Sequence, residues 1–215
     1  MNKILIATGN KGKFQEIIEV LGDLPFEFLT LTDLKIFSDY PERAKTFVGN
    51  AKGKARYYFE QIEGEMPVIA DDSGIIVDAL HGELGVKTRR WGAGEKATDQ
   101  EWVDFFLDKL SDVPAAERTA RFVCSAAVCF DNNQTRVFEQ FTEGIITQSL
   151  EAELVSGFPI SSCFKPIGFD QVYSALTVEQ KNLISHRGKA FQLLKVFLQD
   201  FFSFSPQTKS KTLQR

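Results

Sequence analysis

Ile4-Leu5-Ile6-Ala7-Thr8-Gly9-Asn10-Lys11-Gly12-Lys13 runs from an apolar strand through a glycine-bearing turn into a helix, which opens the chain as an α/β protein. At such a junction the backbone N–H groups and the positive end of the helix dipole point toward one spot. Thr8, Asn10, Lys11 and Lys13 add side-chain donors, so an anion placed there would be held from several directions. The spacing is not that of a P-loop, nor of the spaced-glycine dinucleotide fingerprint. The same residues also read as an ordinary Gly-Asn turn, so a functional reading depends on the rest of the chain.

Downstream, Phe14, Ile17, Ile18 and Leu21 recur at helical spacing, and a short strand covers Phe26–Leu29. A polar loop through Ser38-Asp39-Tyr40-Pro41-Glu42 leads to a long helix from about Thr46 to Glu63. Pro67-Val68-Ile69-Ala70 reads as a strand that ends in Asp71-Asp72-Ser73-Gly74. Thr98-Asp99-Gln100-Glu101 has capping-box spacing and opens a helix to about Leu110. Thr119–Phe130 and Thr135–Ile146 are long β segments joined by a turn at Asp131-Asn132-Asn133-Gln134. The last helix, about 188–202, carries Ala190, Leu193, Leu194, Phe197, Leu198 and Phe201 on one face. Residues 203–215 are polar and aperiodic and read as a disordered tail, leaving 1–202 as one domain.

With 215 residues, 43% hydrophobic content and 20 phenylalanines, the chain can bury a core of that size. A net charge of −4 argues against a sequence-independent nucleic-acid binder, which needs a basic face, but leaves room for a small phosphorylated ligand. The apolar run after Met1 is too short for a signal peptide, and no segment approaches a membrane span. Cys124, Cys129 and Cys163 lack metal-site spacing and read as buried free thiols of a cytoplasmic protein.

Chemistry gathers in two further places. Adjacent Asp71 and Asp72 at the end of a strand point to opposite sides, so that one can ligate a hard cation while the other orients from behind. Mg²⁺ suits such a site, because it takes one or two protein carboxylates and bridges to substrate phosphates. The alternative is a turn in which Asp72 caps its own backbone. Glu42 is either a second metal ligand or a solvated surface glutamate. Lys181-Asn182-Leu183-Ile184-Ser185-His186-Arg187-Gly188-Lys189 concentrates cations ahead of the final helix, either to bind phosphate or as solvated neighbours of a Ser185 N-cap. Phe158 either stacks on a base or packs in the core.

Together, Thr8-Gly9-Asn10-x-Gly12-Lys13, Thr46-Phe47 with Asn50-Ala51 and Lys54-Ala55, Ala70-Asp71-Asp72-Ser73-Gly74 and Ser185-His186-Arg187-Gly188-Lys189-Ala190 resemble, in order, the HAM1/inosine triphosphate pyrophosphatase family. Its members hydrolyse non-standard purine nucleoside triphosphates to monophosphate and pyrophosphate. The resemblance implies an elongated α/β fold with a central, strongly bent mixed sheet, a cleft between two lobes, Mg²⁺ dependence and a homodimer. It implies that Asp72 is the catalytic acid and a metal ligand, with Glu42 as its partner carboxylate. Thr8, Gly9, Asn10, Lys11, Gly12, Lys13, Lys54, Ser73, Lys181, His186 and Arg187 would contact the triphosphate and nucleotide. The base-reading loop departs from the family's Gly-Phe-Gly-Tyr/Trp-Asp-Pro: here it is Gly157-Phe158-Pro159-Ile160-Ser161-Ser162, keeping the stacking aromatic but placing Ser161 where the family carries aspartate. Leu84-Gly85-Val86-Lys87-Thr88-Arg89-Arg90-Trp91 departs as well, and Gly49 stands where many relatives carry Glu. The expected function is pyrophosphatase action on ITP, dITP or XTP. The alternatives are action on another modified nucleotide and a catalytically silent nucleotide sensor.

Overall fold

In a computed structural model, which describes residues 2–88, 91–94, 96–131 and 134–204, the opening stretch folds as read. Strand β1 (Asn2–Ile6) leads into helix α1 (Lys11–Leu21), and the Asn10 side chain caps α1 by accepting from the Lys13 N–H at 3.1 Å. Strand β2 (Phe26–Thr30) pairs parallel with β1, and helix α2 (Phe47–Gln61) starts at a Thr46 cap. Strand β3 (Val68–Val77) lies parallel to β1. Helix α3 (Asp99–Asp108) carries the expected Thr98–Glu101 capping box. Strands β4 (Thr119–Asp131) and β5 (Gln134–Ile146) form the long hairpin, whose turn residues Asn132 and Asn133 lie outside the described residues, as do Arg89 and Arg90.

A short strand β6 (Phe164–Pro166), helix α4 (Val178–Ile184) and helix α5 (His186–Phe204) complete the chain. Residues 205–215, most of the expected tail, are outside the described residues. Among the described residues the sheet is mixed, six-stranded and ordered β2-β1-β3-β4-β5-β6.

The alternating side chains of β1, β3 and β4 face two different layers. Ile4, Ile6, Ile69, Cys124, Ala126 and Val128 pack on Ile17 and Leu21 of α1 and Ala190, Phe191, Leu194 and Leu198 of α5. Leu5, Ala7, Val68, Ala70, Ala127 and Cys129 pack on Ala51, Ala55, Tyr58 and Phe59 of α2. A separate cluster joins Ile75, Val77, Ala120, Ile146 and Phe164 to Trp102, Val103, Phe106 and Leu110, forming the second lobe around α3. All three cysteines are buried free thiols.

One expectation is corrected. β3 does not end at Ala70: it pairs with β4 without interruption from Val68↔Cys129 to Val77↔Ala120. The long antiparallel partner supplies ladder hydrogen bonds past the acidic pair. Asp71 to Gly74 therefore sit in the middle of a strand, where it passes from one lobe into the other.

Candidate active site

Strand alternation separates the two aspartates. Asp71 lies on the same side as Ile69, toward α1 and α5, and Asp72 lies on the side of Ala70, toward α2. Asp71 is 1% exposed and sits 3.1 Å from Lys13 Nζ and 3.5 Å from Arg187 Nε. Burial alone would raise its pKa, but Lys13, Arg187 and Lys54 more than offset it and hold the carboxyl well below the usual carboxylate range. Asp71 thus anchors two cations.

Asp72 has the opposite environment. Burial is the largest influence and pushes its carboxyl up to about 6, with Glu42 adding to the rise. A hydrogen bond from Asn50 Nδ2 to Asp72 Oδ2 at 2.9 Å, together with Lys13 and Lys54, opposes the shift. Asp72 does not cap its own backbone; its described hydrogen-bond partner is 22 residues away on α2. Two carboxyls whose environments drive them apart in this way are typical of functional sites.

A cavity of about 620 Å³ collects the predicted pieces. Its lining includes Asn10 and Lys13 from the α1 start, Glu42, Asp72 and Ser73, Phe158 and Ser161, and Lys181, His186 and Arg187. The volume is that of a small-molecule site. Thr8, Gly9, Lys11 and Gly12 do not line it; they form the exposed turn and the first turn of α1. Asn10 N–H donates to Thr8 Oγ1 at 3.2 Å, which orders that turn, and space within 4 Å of a Cβ built on Gly9 is empty. A Cβ on Gly12 would lie 3.7 Å from the Phe158 ring, which crosses from the other lobe to the α1 start.

Lys54 stands behind the lining. Its ammonium donates to Glu42 Oε1 at 2.6 Å and to the Asp71 carbonyl at 3.3 Å. Burial would lower its pKa, but Glu42 reverses the sign and raises it. Arg187 faces the cavity yet is occupied: it donates to Glu16 and, at 2.9 Å, to Ser73 Oγ. The carboxylates of Asp71 and Glu16 offset the cost of a cation at the start of α5, where Ser185 Oγ caps the helix by accepting from Gly188 N–H at 3.0 Å. Lys181 Nζ donates to the Ser174 carbonyl at 2.9 Å. His186 stacks on Phe122 at 5.2 Å and 16°, and burial is the main reason its pKa falls well below the ordinary histidine value. Ser161 Oγ donates to the Phe158 carbonyl at 2.6 Å.

Three residues with no role readable from the sequence are brought into the site. Asn50 is fully buried and holds both Asp72 and, through Oδ1, the Ala44 N–H of the Glu42 loop at 2.9 Å. Glu16 and Trp102 also line the cavity. Asn50 lies inside a motif noted from the sequence, but its reach to Asp72 spans elements and leaves no local signal.

Asp72 at a strand midpoint and cations from two helix starts thus border one cavity of an α/β protein. Residues 4–197 match the profile of the Ham1 family, and the chain belongs to that family. It is 39% identical over 195 residues to a dITP/XTP pyrophosphatase of Geobacter sulfurreducens, covering 91% of this chain and 96% of that protein. It is 39% identical over 198 residues to a dITP/XTP pyrophosphatase of Halalkalibacterium halodurans, covering 92% and 100%. The solved structure of a HAM1 protein from Coxiella burnetii superposes with a TM-score of 0.83 at 32% identity, covering 93% of this chain and all of that one.

Proposed function

We propose that this chain is a Mg²⁺-dependent nucleoside triphosphate pyrophosphatase that converts ITP, dITP or XTP to monophosphate and pyrophosphate. The observation carrying this reading is the Asp72 carboxyl, raised to about 6 inside a cavity that it shares with Glu42 and with Lys13, Lys181 and Arg187. Two facing carboxyls repel, and a divalent ion relieves that repulsion. Among the described residues no cluster of three or more histidine, cysteine, aspartate or glutamate side chains could cage a metal. Glu42 and Asp72, which both border the cavity, match the carboxylate count of Mg²⁺, which binds through one or two carboxylates plus substrate phosphates and water. Glu42 and Asp72 would hold it, and when bound it supplies charge neutralisation on the phosphate oxygens and acidifies water.

The side chains divide the remaining work. The Lys13 ammonium and the Asn10 side chain, which border the cavity at the α1 start, bind the polyphosphate, and Arg187 borders it from the α5 start. Asp72, which borders the cavity, accepts the proton of the attacking water. Attack at the α-phosphorus breaks the α–β anhydride and releases pyrophosphate. Phe158 stacks on the base, and Ser161 stands beside it as a neutral contact. By resemblance the working unit is a homodimer. The buried free thiols support a reducing, cytoplasmic setting, and no described helix is long and apolar enough to cross a membrane.

The test is Mg²⁺-dependent pyrophosphate release across a nucleotide panel, for the native chain and Asp72→Asn. Turnover of inosine or xanthosine triphosphate is expected, and the variant should lose it by at least about a thousandfold while keeping its fold, as removal of a catalytic group does. Near-native release by Asp72→Asn refutes the role given to this carboxylate. Tight binding without turnover by the native chain would identify a sensor instead.

A further inference from the structure

We infer that Trp102 reads the base: its indole Nε1–H donates to a carbonyl oxygen on the ring system bound in the cavity. This rests on the proposed nucleotide-binding role and deepens it. Trp102 is 1% exposed, borders the cavity beside Phe158, Ile160 and Ser161, and its Nε1 has no hydrogen-bond acceptor among the described residues. A buried donor left unpaired carries the full cost of its lost hydration, so a native structure that keeps one implies an acceptor that arrives later.

Neighbouring rings hold the indole in this orientation. It is stacked on Phe106 at 5.3 Å and 19°, with Trp91 edge-on at 6.3 Å. Helix α3 is also tied to the base-reading loop, because Gly157 N–H donates to Asp99 Oδ2 at 2.7 Å. The indole and residues 157–162 therefore belong to one wall of the cavity, and a small shift of that wall opens Nε1 to a bound base.

The chemistry of that wall indicates the partner. Ser161 has committed its hydroxyl hydrogen to the Phe158 carbonyl, so only lone pairs remain to face a ligand. The indole can only donate. Val86, Phe122, Val155 and Ile160 supply apolar surface around them. An acceptor-only hydroxyl and a donor-only indole complement a lactam edge, in which a ring N–H adjoins a carbonyl. Oxopurines present that edge, and an unsubstituted purine does not. A site built to hydrogen-bond one group discriminates against analogues lacking it, because its own polar group is left unpaired.

The experiment follows the indole signals of the full chain in ¹H–¹⁵N spectra, with Trp102→Phe identifying the Trp102 resonance. Inosine monophosphate is titrated against purine riboside 5′-monophosphate, which lacks the carbonyl. The Trp102 signal should move downfield with the inosine nucleotide and stay in place with the other. In Trp102→Phe, inosine monophosphate should bind about tenfold more weakly while purine riboside monophosphate is unchanged, the difference of one lost hydrogen bond. KM for inosine triphosphate should rise by a similar factor, with kcat within about twofold.

An indole signal that moves equally with both nucleotides, or with neither, overturns the inference, and the native protein alone decides this if the variant does not fold. If the signal moves with inosine monophosphate but no triphosphate is cleaved, the hydrolase reading fails and the indole assignment stands.

Discussion

Asn50 joins two parts of the site that the chain keeps apart. Its amide N–H donates to Asp72 and its carbonyl accepts from the Ala44 N–H, so one buried side chain orients the acid on β3 and fixes the loop that carries Glu42. Asn50→Ala removes both bonds, leaving the half-buried Ala44 N–H without its acceptor and the buried Asp72 carboxylate without its donor, the latter at a cost of about 1–3 kcal/mol. Partners that orient a ligating carboxylate are typically worth about 10–100-fold in metal affinity or activity. On the proposed Mg²⁺-dependent function, the variant should therefore lose kcat/KM for inosine triphosphate by that factor, with a raised Mg²⁺ requirement. An unchanged Mg²⁺ dependence in steady-state kinetics would show that Asn50 supports only the loop. Asp72 and Glu42 are readable from residue type and motif. Asn50 is not, because an asparagine in a helix signals nothing until the strand beside it is known.

Gly74 shows how β3 is constrained where it crosses between lobes. A Cβ there would lie 2.6 Å from Thr88 Oγ1 and 2.9 Å from the Gly85 carbonyl. That loop is bound to the strand: Ile75 N–H donates to Thr88 Oγ1 at 3.1 Å, and Gly85 N–H to the Ile75 carbonyl at 3.1 Å. Gly74→Ala must push backbone away from backbone, so a loss of about 1–3 kcal/mol is expected in urea unfolding, as for other overpacked sites. A variant as stable as the native chain would mean that the loop yields freely.

The same pairing decides which elements are legible in the sequence. Helices α1, α2, α3 and α5 announce themselves by period and caps, and the hairpin by its turn. The end of β3 does not, since Asp-Asp-Ser-Gly is turn chemistry by composition and becomes strand only when β4 pairs alongside it. Helix α4 has seven residues, too few for a period to show, although its Thr177–Gln180 capping box is present in the sequence. β6 has three residues and exists only as an edge pairing with β5.

The two lobes share β3, β4 and β5, and His186 sits at their junction. It begins α5, which packs on the first lobe, while its ring stacks on Phe122, whose own neighbours Phe164 and Tyr173 lie at 4.4 and 6.0 Å in the second. Nδ1 is buried with no hydrogen-bond partner among the described residues. Burial first, then Arg187, Lys13 and Lys189, disfavour the charged ring, against Asp71, which favours it.

The folded pKa therefore lies below that of the unfolded chain, about 6.5. The unfolded state binds the extra proton as pH falls through 6.5, so stability is present above that value and declines below it. Asp72 acts in the opposite direction, because its carboxyl, raised to about 6, takes up a proton in the folded state before the unfolded one. The sum can be shallow, so the imidazole is isolated by difference. In metal-free urea unfolding, His186→Phe keeps a ring against Phe122 and should gain on the native chain by up to about 1.4 kcal/mol per pH unit below pH 6.5. The gap should be constant above pH 7.5. A gap that does not change between pH 7.5 and 5 would mean that His186 takes up its proton equally in both states, and that the junction between the lobes does not exclude charge.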